Sequence, residues 1–114
     1  MSGIREQILR NRKMRVARDG HALGDEVPAA RRVPLVPFLR EPPIICEIKR
    51  RSPSRGDIAA ELDPVAQAHR YAERGVRSLS VLTEEDYFSG SLGDLIAVKE
   101  AHPELAVLRK DFLL

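Results

Sequence analysis

A glutamate and a lysine two positions apart, Glu47 and Lys49, close the apolar run "IICEIK". A third ionisable side chain, Lys110, stands in the comparable run "LAVLRKDF". One carboxylate beside two ammonium groups suits acid–base work on an anionic molecule, provided that all three reach one place. The competing reading is a solvated ion pair at a strand tip, worth about 0–1 kcal/mol. The same choice applies to Lys110 with its neighbours Arg109 and Asp111. Arg50, Arg51 and Arg55 read as surface charge, and Pro53 and Gly56 as turn formers. "TEEDYFSGS" reads as an acidic loop with Tyr87 and Phe88 packing inward.

The elements that would carry these residues follow from periodicity. "IICEIK" is a strand, so Ile45, Glu47 and Lys49 share one face and Cys46 turns to the other. Cys46 is then a small residue on the helix-facing side rather than a nucleophile. "DPVAQAHRYAERG" is a helix with Asp63 as N-cap, Pro64 at its first position and Gly75 after its end. Its apolar residues Val65, Ala68 and Ala72 recur at helical spacing. "RSLSVLT" is a second strand, placing Ser80 and Leu82 on one face. "SLGDLIAVKEAHP" is a second helix with Ser91 and Asp94 as a variant capping box. In the third strand, "LAVLRKDFLL", Leu108 and Lys110 share a face with Phe112 beyond. The order β-α-β-α-β demands a parallel sheet with right-handed crossovers. All three strand ends then open on one mouth, where α/β sheets and barrels build their sites. The segment from Lys49 to Asp63 is long for a βα connection, which marks it as functional.

Residues 3–18 favour helix, and Gly20 and Gly24 end it. Five prolines between Val27 and Pro43 forbid a long element there, leaving a short helical turn around Leu35–Arg40. Val33, Leu35, Val36, Phe38 and Leu39 are apolar enough to expect packing.

Bulk properties narrow the function. The 114 residues, 43% hydrophobic and 32% charged, are enough for one domain with a core. The net charge of +2 divides unevenly: residues 1–55 carry thirteen Lys and Arg against six Asp and Glu, the remainder six against eleven. Those bases are scattered and not interleaved with aromatics, which argues against nucleic acid and for a small anionic ligand. The single cysteine permits no intrachain disulfide. No apolar stretch reaches the ~20 residues of a membrane span, and the amino terminus lacks a secretory apolar centre, so a cytoplasmic location is expected. His21, His69 and His102 have no partners at ligand spacing, so no metal is assigned.

"IICEIKRRSPSRGDI", "DPVAQAHRYAERGVRSLSVLTEEDYFSGSLGDL" and "VLRKDF" resemble, in order and interval, the first three βα segments of indole-3-glycerol-phosphate synthase, a (βα)8 barrel. The resemblance implies an α/β chain with a helical amino-terminal extension over 1–43. The first three strands and two helices of a TIM barrel follow over 44–114, less than half of such a barrel's ~250 residues. It implies a lyase of tryptophan biosynthesis without cofactor. That enzyme acts on the phosphosugar 1-(2-carboxyphenylamino)-1-deoxyribulose 5-phosphate by ring closure, decarboxylation and dehydration. By that resemblance Lys110 protonates the ketone oxygen, Lys49 holds the anionic groups and Glu47 stabilises cationic intermediates or relays a proton. Ser52 would position the first loop, Phe88 and Phe112 would wall the aromatic ring, and Leu82 would lie beneath it. The family's remaining catalytic and phosphate-binding groups fall beyond residue 114, so the isolated chain is expected to be inactive and to self-associate through open sheet edges. Two other readings stand beside this one: another phosphosugar barrel, and a noncatalytic module that pairs through those edges.

Overall fold

A computed structural model describes residues 3–114 and divides into two units. The first unit runs up to Arg31 and includes Phe112–Leu114. It holds helix α1 (Ile4–Asp19), which Gly20 ends with a positive φ of 82° as its N–H bonds Val16 O. That torsion costs glycine nothing and would strain other residues.

The second unit, Arg32–Asp111, contains the remaining elements. These are β1 (Ile45–Ile48), β2 (Arg51–Ser52), β3 (Gly56–Asp57), α2 (Pro64–Glu73), β4 (Ser78–Leu82), α3 (Leu92–Ala101) and β5 (Ala106–Lys110). Strands β1, β4 and β5 form a parallel sheet in that order. With α2 and α3 as the crossovers, this is the beginning of a barrel of the expected kind.

Strand alternation decides where the core lies. Ile48, Leu79 and Val81 turn toward α2 and α3 and are buried with Ala68, Val76, Val98 and Leu105. Cys46, Val65, Tyr71, Ala72, Leu95 and Val107 pack around them. The opposite face is barely covered at the outer strands, where Ile45 is 54% and Leu108 48% exposed. Both helix starts use the anticipated caps. The Asp63 carboxylate accepts from the N–H of Val65, and Ser91 Oγ accepts from that of Asp94.

One element goes beyond the expectations, and three local expectations need correction. The first βα connection contains an antiparallel pair, β2 with β3, that closes on the Ser52–Gly56 turn. No helical turn forms around Leu35–Arg40, because Pro34, Pro37 and Pro42 remove the donors and fix the torsions that one would need. The packing expected of that segment is only partial: Leu35 and Leu39 are exposed, whereas Val33, Val36 and Phe38 are half-buried. Strand β5 stops at Lys110, so Phe112 lies outside the sheet and belongs with the α1 unit.

Two substitutions would weigh cap against core. Asp63→Ala is expected to cost about 1 kcal/mol, and Leu79→Ala about 2–5 kcal/mol because Leu79 is fully buried between sheet and helices. Urea unfolding followed by circular dichroism would measure both.

Candidate active site

Register brings the ionisable residues together. Glu47 on β1 stands opposite Ser80 on β4, which stands opposite Leu108 on β5; one rung pair higher, Leu82 stands opposite Lys110. Residues of even spacing share a face, so Glu47, Ser80, Leu82 and Lys110 line the less covered side at the carboxyl ends of the strands. Lys110 Nζ donates to Glu47 Oε2 at 2.8 Å, and Lys49 Nζ lies 3.4 Å from Glu47 Oε1. Ser80 Oγ donates to Glu47 Oε2 at 3.3 Å. A single carboxylate thus joins two ammonium groups whose residues are separated by sixty-one positions of chain.

Burial pushes the Glu47 carboxyl toward the neutral form. The Lys110 hydrogen bond and charge, followed by those of Lys49, outweigh that, and its pKa lies below the ordinary glutamate value. Glu47 is therefore ionised at neutral pH, and both lysines face a full negative charge.

The other expected site residues are distributed around this cluster. Leu82 is buried one rung above Ser80. Ser52 is buried in the first loop, where its Oγ accepts from Arg55 N–H and lies 3.4 Å from Ser54 Oγ, so its bonds serve its own turn. Phe88 is half-buried in the loop after β4. Phe112 lies in the other unit.

Three residues have larger structural roles than their types suggested. Arg50, read as surface charge, is a strut. Its Nε donates to Leu62 O at 3.0 Å and its Nη1 to Ser89 O at 2.9 Å, while Nη1 and Nη2 grip the two oxygens of Asp94. The Asp94 hydrogen bond and charge strengthen its hold on its proton against partial burial. That planar fork joins both loops at the sheet's carboxyl end to the start of α3, a geometry lysine cannot copy. Glu84 lies in the stretch read as an acidic loop, yet it is 1% exposed. Its carboxylate accepts from the N–H groups of Asp86, Tyr87 and Phe88. Gly90 closes the same loop through its N–H to Glu84 O, and a Cβ there would stand 2.0 Å from Leu82 O. An acidic residue three positions before an aromatic pair was the available signal for Glu84, but solvent-facing loops share it.

On the other face of β5, Thr83 Oγ1 donates to Asp111 Oδ2 at 2.7 Å and accepts from Arg109 Nε at 3.3 Å. Arg109 and Asp111 thus form their own cluster, apart from Lys110. Among the described residues, no group of three or more His, Cys, Asp or Glu could hold a metal ion, and no helix is long and apolar enough to cross a membrane.

Comparison with known proteins bears on this arrangement. A family model described as "Indole-3-glycerol phosphate synthase" matches residues 6–114. Three relatives carry the same description. The one from Exiguobacterium sibiricum is 56% identical over 71 residues, which are 62% of this chain and 27% of that protein. The one from Desulfotalea psychrophila is 41% identical across 100% of this chain and 47% of its own length. The Mycolicibacterium gilvum protein is 39% identical over 99% of this chain and 41% of its own. The chain therefore spans under half the length of these relatives.

The charge cluster has a signed pH consequence. Glu47 has a depressed pKa in the folded chain, so its contribution to stability is present above the unfolded glutamate pKa and fades as pH falls through the folded one. Lys110→Met is expected to raise the Glu47 pKa and flatten the acid limb of the stability profile, as read by carboxyl carbon NMR and by urea midpoints between pH 3 and 7. Gly90→Ala is expected to lower stability by about 1–3 kcal/mol, the usual range for overpacking, because the obstacle is backbone. Thermal unfolding would measure it.

Proposed function

We propose that this chain, which belongs to the indole-3-glycerol phosphate synthase family, supplies the proton-handling corner of a site that closes an indole ring. The substrate would be 1-(2-carboxyphenylamino)-1-deoxyribulose 5-phosphate. Its ring carbon bearing the carboxylate attacks the ketone carbon, and the Lys110 ammonium delivers a proton to the ketone oxygen as the new bond forms. Carbon dioxide then leaves and its bonding pair stays with the ring system. The new hydroxyl takes up a proton and departs as water, while the carbon between the hydroxyl-bearing carbon and the nitrogen loses a proton to form the new double bond. Glu47 balances the cationic nitrogen that develops and relays a proton, while Lys49 holds the anionic groups in register. Ser52, Leu82 and Phe88 stay in this reading as the loop anchor and the apolar wall.

One observation carries it: two lysine ammonium groups lie 2.8 and 3.4 Å from the two oxygens of one strand-end glutamate, on one face of a parallel sheet. A surface ion pair needs one partner; a carboxylate shared by two cations at the mouth of a barrel-type sheet suits chemistry that must move protons on an anion. A cytoplasmic location goes with this reading.

A second reading, self-association through the sheet, is favoured by the exposure of Ile45 and Leu108 on the inner face. Among the described residues, strands β1 and β5 are also paired on one side only. The two readings are compatible, because a catalytic corner that lacks the rest of its wall presents the same apolar face.

The chain by itself is expected to form no fluorescent indole-3-glycerol phosphate from the substrate. Joined to the part of the Desulfotalea psychrophila relative that it leaves unmatched, it should turn over. In that fusion Lys110→Met and Glu47→Gln should each lower kcat by about 10²–10⁴. Activity from the chain alone, or full activity in either variant, would overturn the assignment. Size-exclusion chromatography across a range of concentrations tests self-association, and a monomer throughout would refute it.

A further inference from the structure

The Glu47–Lys110 pair joins the two outer strands of the sheet and must therefore pass over the middle one. Outer strands of a three-stranded sheet lie about 9–10 Å apart. On this face the middle strand presents Leu82 opposite Lys110 and a much smaller residue opposite Glu47, and a bulky side chain at the latter rung would stand between the Glu47 carboxylate and β5. That rung holds Ser80, directly opposite Glu47 and only 5% exposed. Its Oγ is 3.3 Å from Glu47 Oε2, the same oxygen that takes the Lys110 ammonium at 2.8 Å.

We propose that Ser80 is a positioning residue for Glu47: it is small enough to let the carboxylate meet Lys110 above β4, and its hydroxyl donates to the shared oxygen. Two requirements meet at this position, low volume and a donor, and alanine satisfies only the first. Without the hydroxyl, Oε2 depends on Lys110 alone, and the carboxylate can rotate away whenever that ammonium turns to substrate. With it, Glu47 keeps its orientation and its charge while Lys110 gives up its proton.

Among the described residues, three side chains face the Glu47 carboxylate. Lys110 approaches from β5, Ser80 from β4 and Lys49 from the end of its own strand. From α2, the Tyr71 hydroxyl donates to the Glu47 backbone carbonyl at 3.1 Å and so holds the strand rather than the carboxylate. The cations already hold the Glu47 pKa down, and removing a donor to the charged form raises it.

The test uses three variants of the 114-residue chain, with Glu47 titrated by carboxyl carbon NMR. Ser80→Ala and the near-isosteric Ser80→Cys are expected to shift the titration upward, and Ser80→Thr, which restores the hydroxyl, to bring it back. In the fusion protein, Ala and Cys should move the acid limb of the kcat/KM profile in the same direction and lower kcat/KM roughly ten- to a hundredfold, the range for losing one hydrogen bond to a charged group. Unchanged titration in Ala and Cys, or a Thr variant shifted as far as Ala, would overturn the proposal, whatever happens to the melting temperature. The rate arm rests on the ring-closing reading and the NMR arm does not. An inactive parent fusion would therefore sink that reading and leave Ser80 to be judged by the titration.

Discussion

Two ammonium groups brought to the same strand ends repel each other unless something negative lies between them. Here the Glu47 carboxylate does so, one oxygen toward Lys49 and the other toward Lys110. That arrangement depends on parallel register. A one-residue slip of β5 against β4 would send Lys110 to the helix-facing side and bring Arg109 in its place. The register is held by the outward residues, since Leu79 and Val81 are packed tightly beneath α2 and α3. The apolar core on one face of the sheet thus sets the electrostatics on the other.

The loops at the carboxyl ends are ordered by a different means. Charged side chains, Glu84 buried and Arg50 half-buried, tie them back on themselves. Arg50 binds two loop carbonyls and a helix carboxylate, while Glu84 collects three successive N–H groups. Each charge is fully engaged, which is the condition under which burying it is tolerable. The result is a rim whose backbone is fixed without a large apolar surface facing the mouth. That matters for a site whose proposed ligand is anionic and polar over much of its length.

The helices, their caps and the three strands could be read from the chain because each depends on residues within a few positions of one another. Asp63 before Pro64 and Ser91 three residues before Asp94 are complete local signals, and the alternation in "SLSVL" is another. What escaped that reading depends on partners far along the chain. Arg50 looks like Arg51 until Asp94, forty-four residues later, is seen to hold it. Glu84 looks like Glu85 until the loop folds back over it. The β2–β3 pair is two residues long on each side, too short for any periodicity. Leu35–Arg40 misled because the gap between prolines left room for a helical turn, whereas the prolines keep the whole stretch irregular. Phe112 misled because alternation carried the strand past Lys110, where the pairing ends.

The sequence by itself determined which segments become strands and helices, and that Glu47, Lys49 and Lys110 would lie at strand ends; these are consequences of short-range sterics, capping and side-chain alternation. Only the tertiary structure decided that both lysines meet the Glu47 carboxylate, that Ser80 lies opposite Glu47 and within reach of the same oxygen as Lys110, and that Arg50 and Glu84 hold the rim. Those outcomes depend on register between strands separated by more than twenty residues and on which charges lose their water. Neither is written in any local stretch of chain, because both arise from the packing of sheet against helices as a whole.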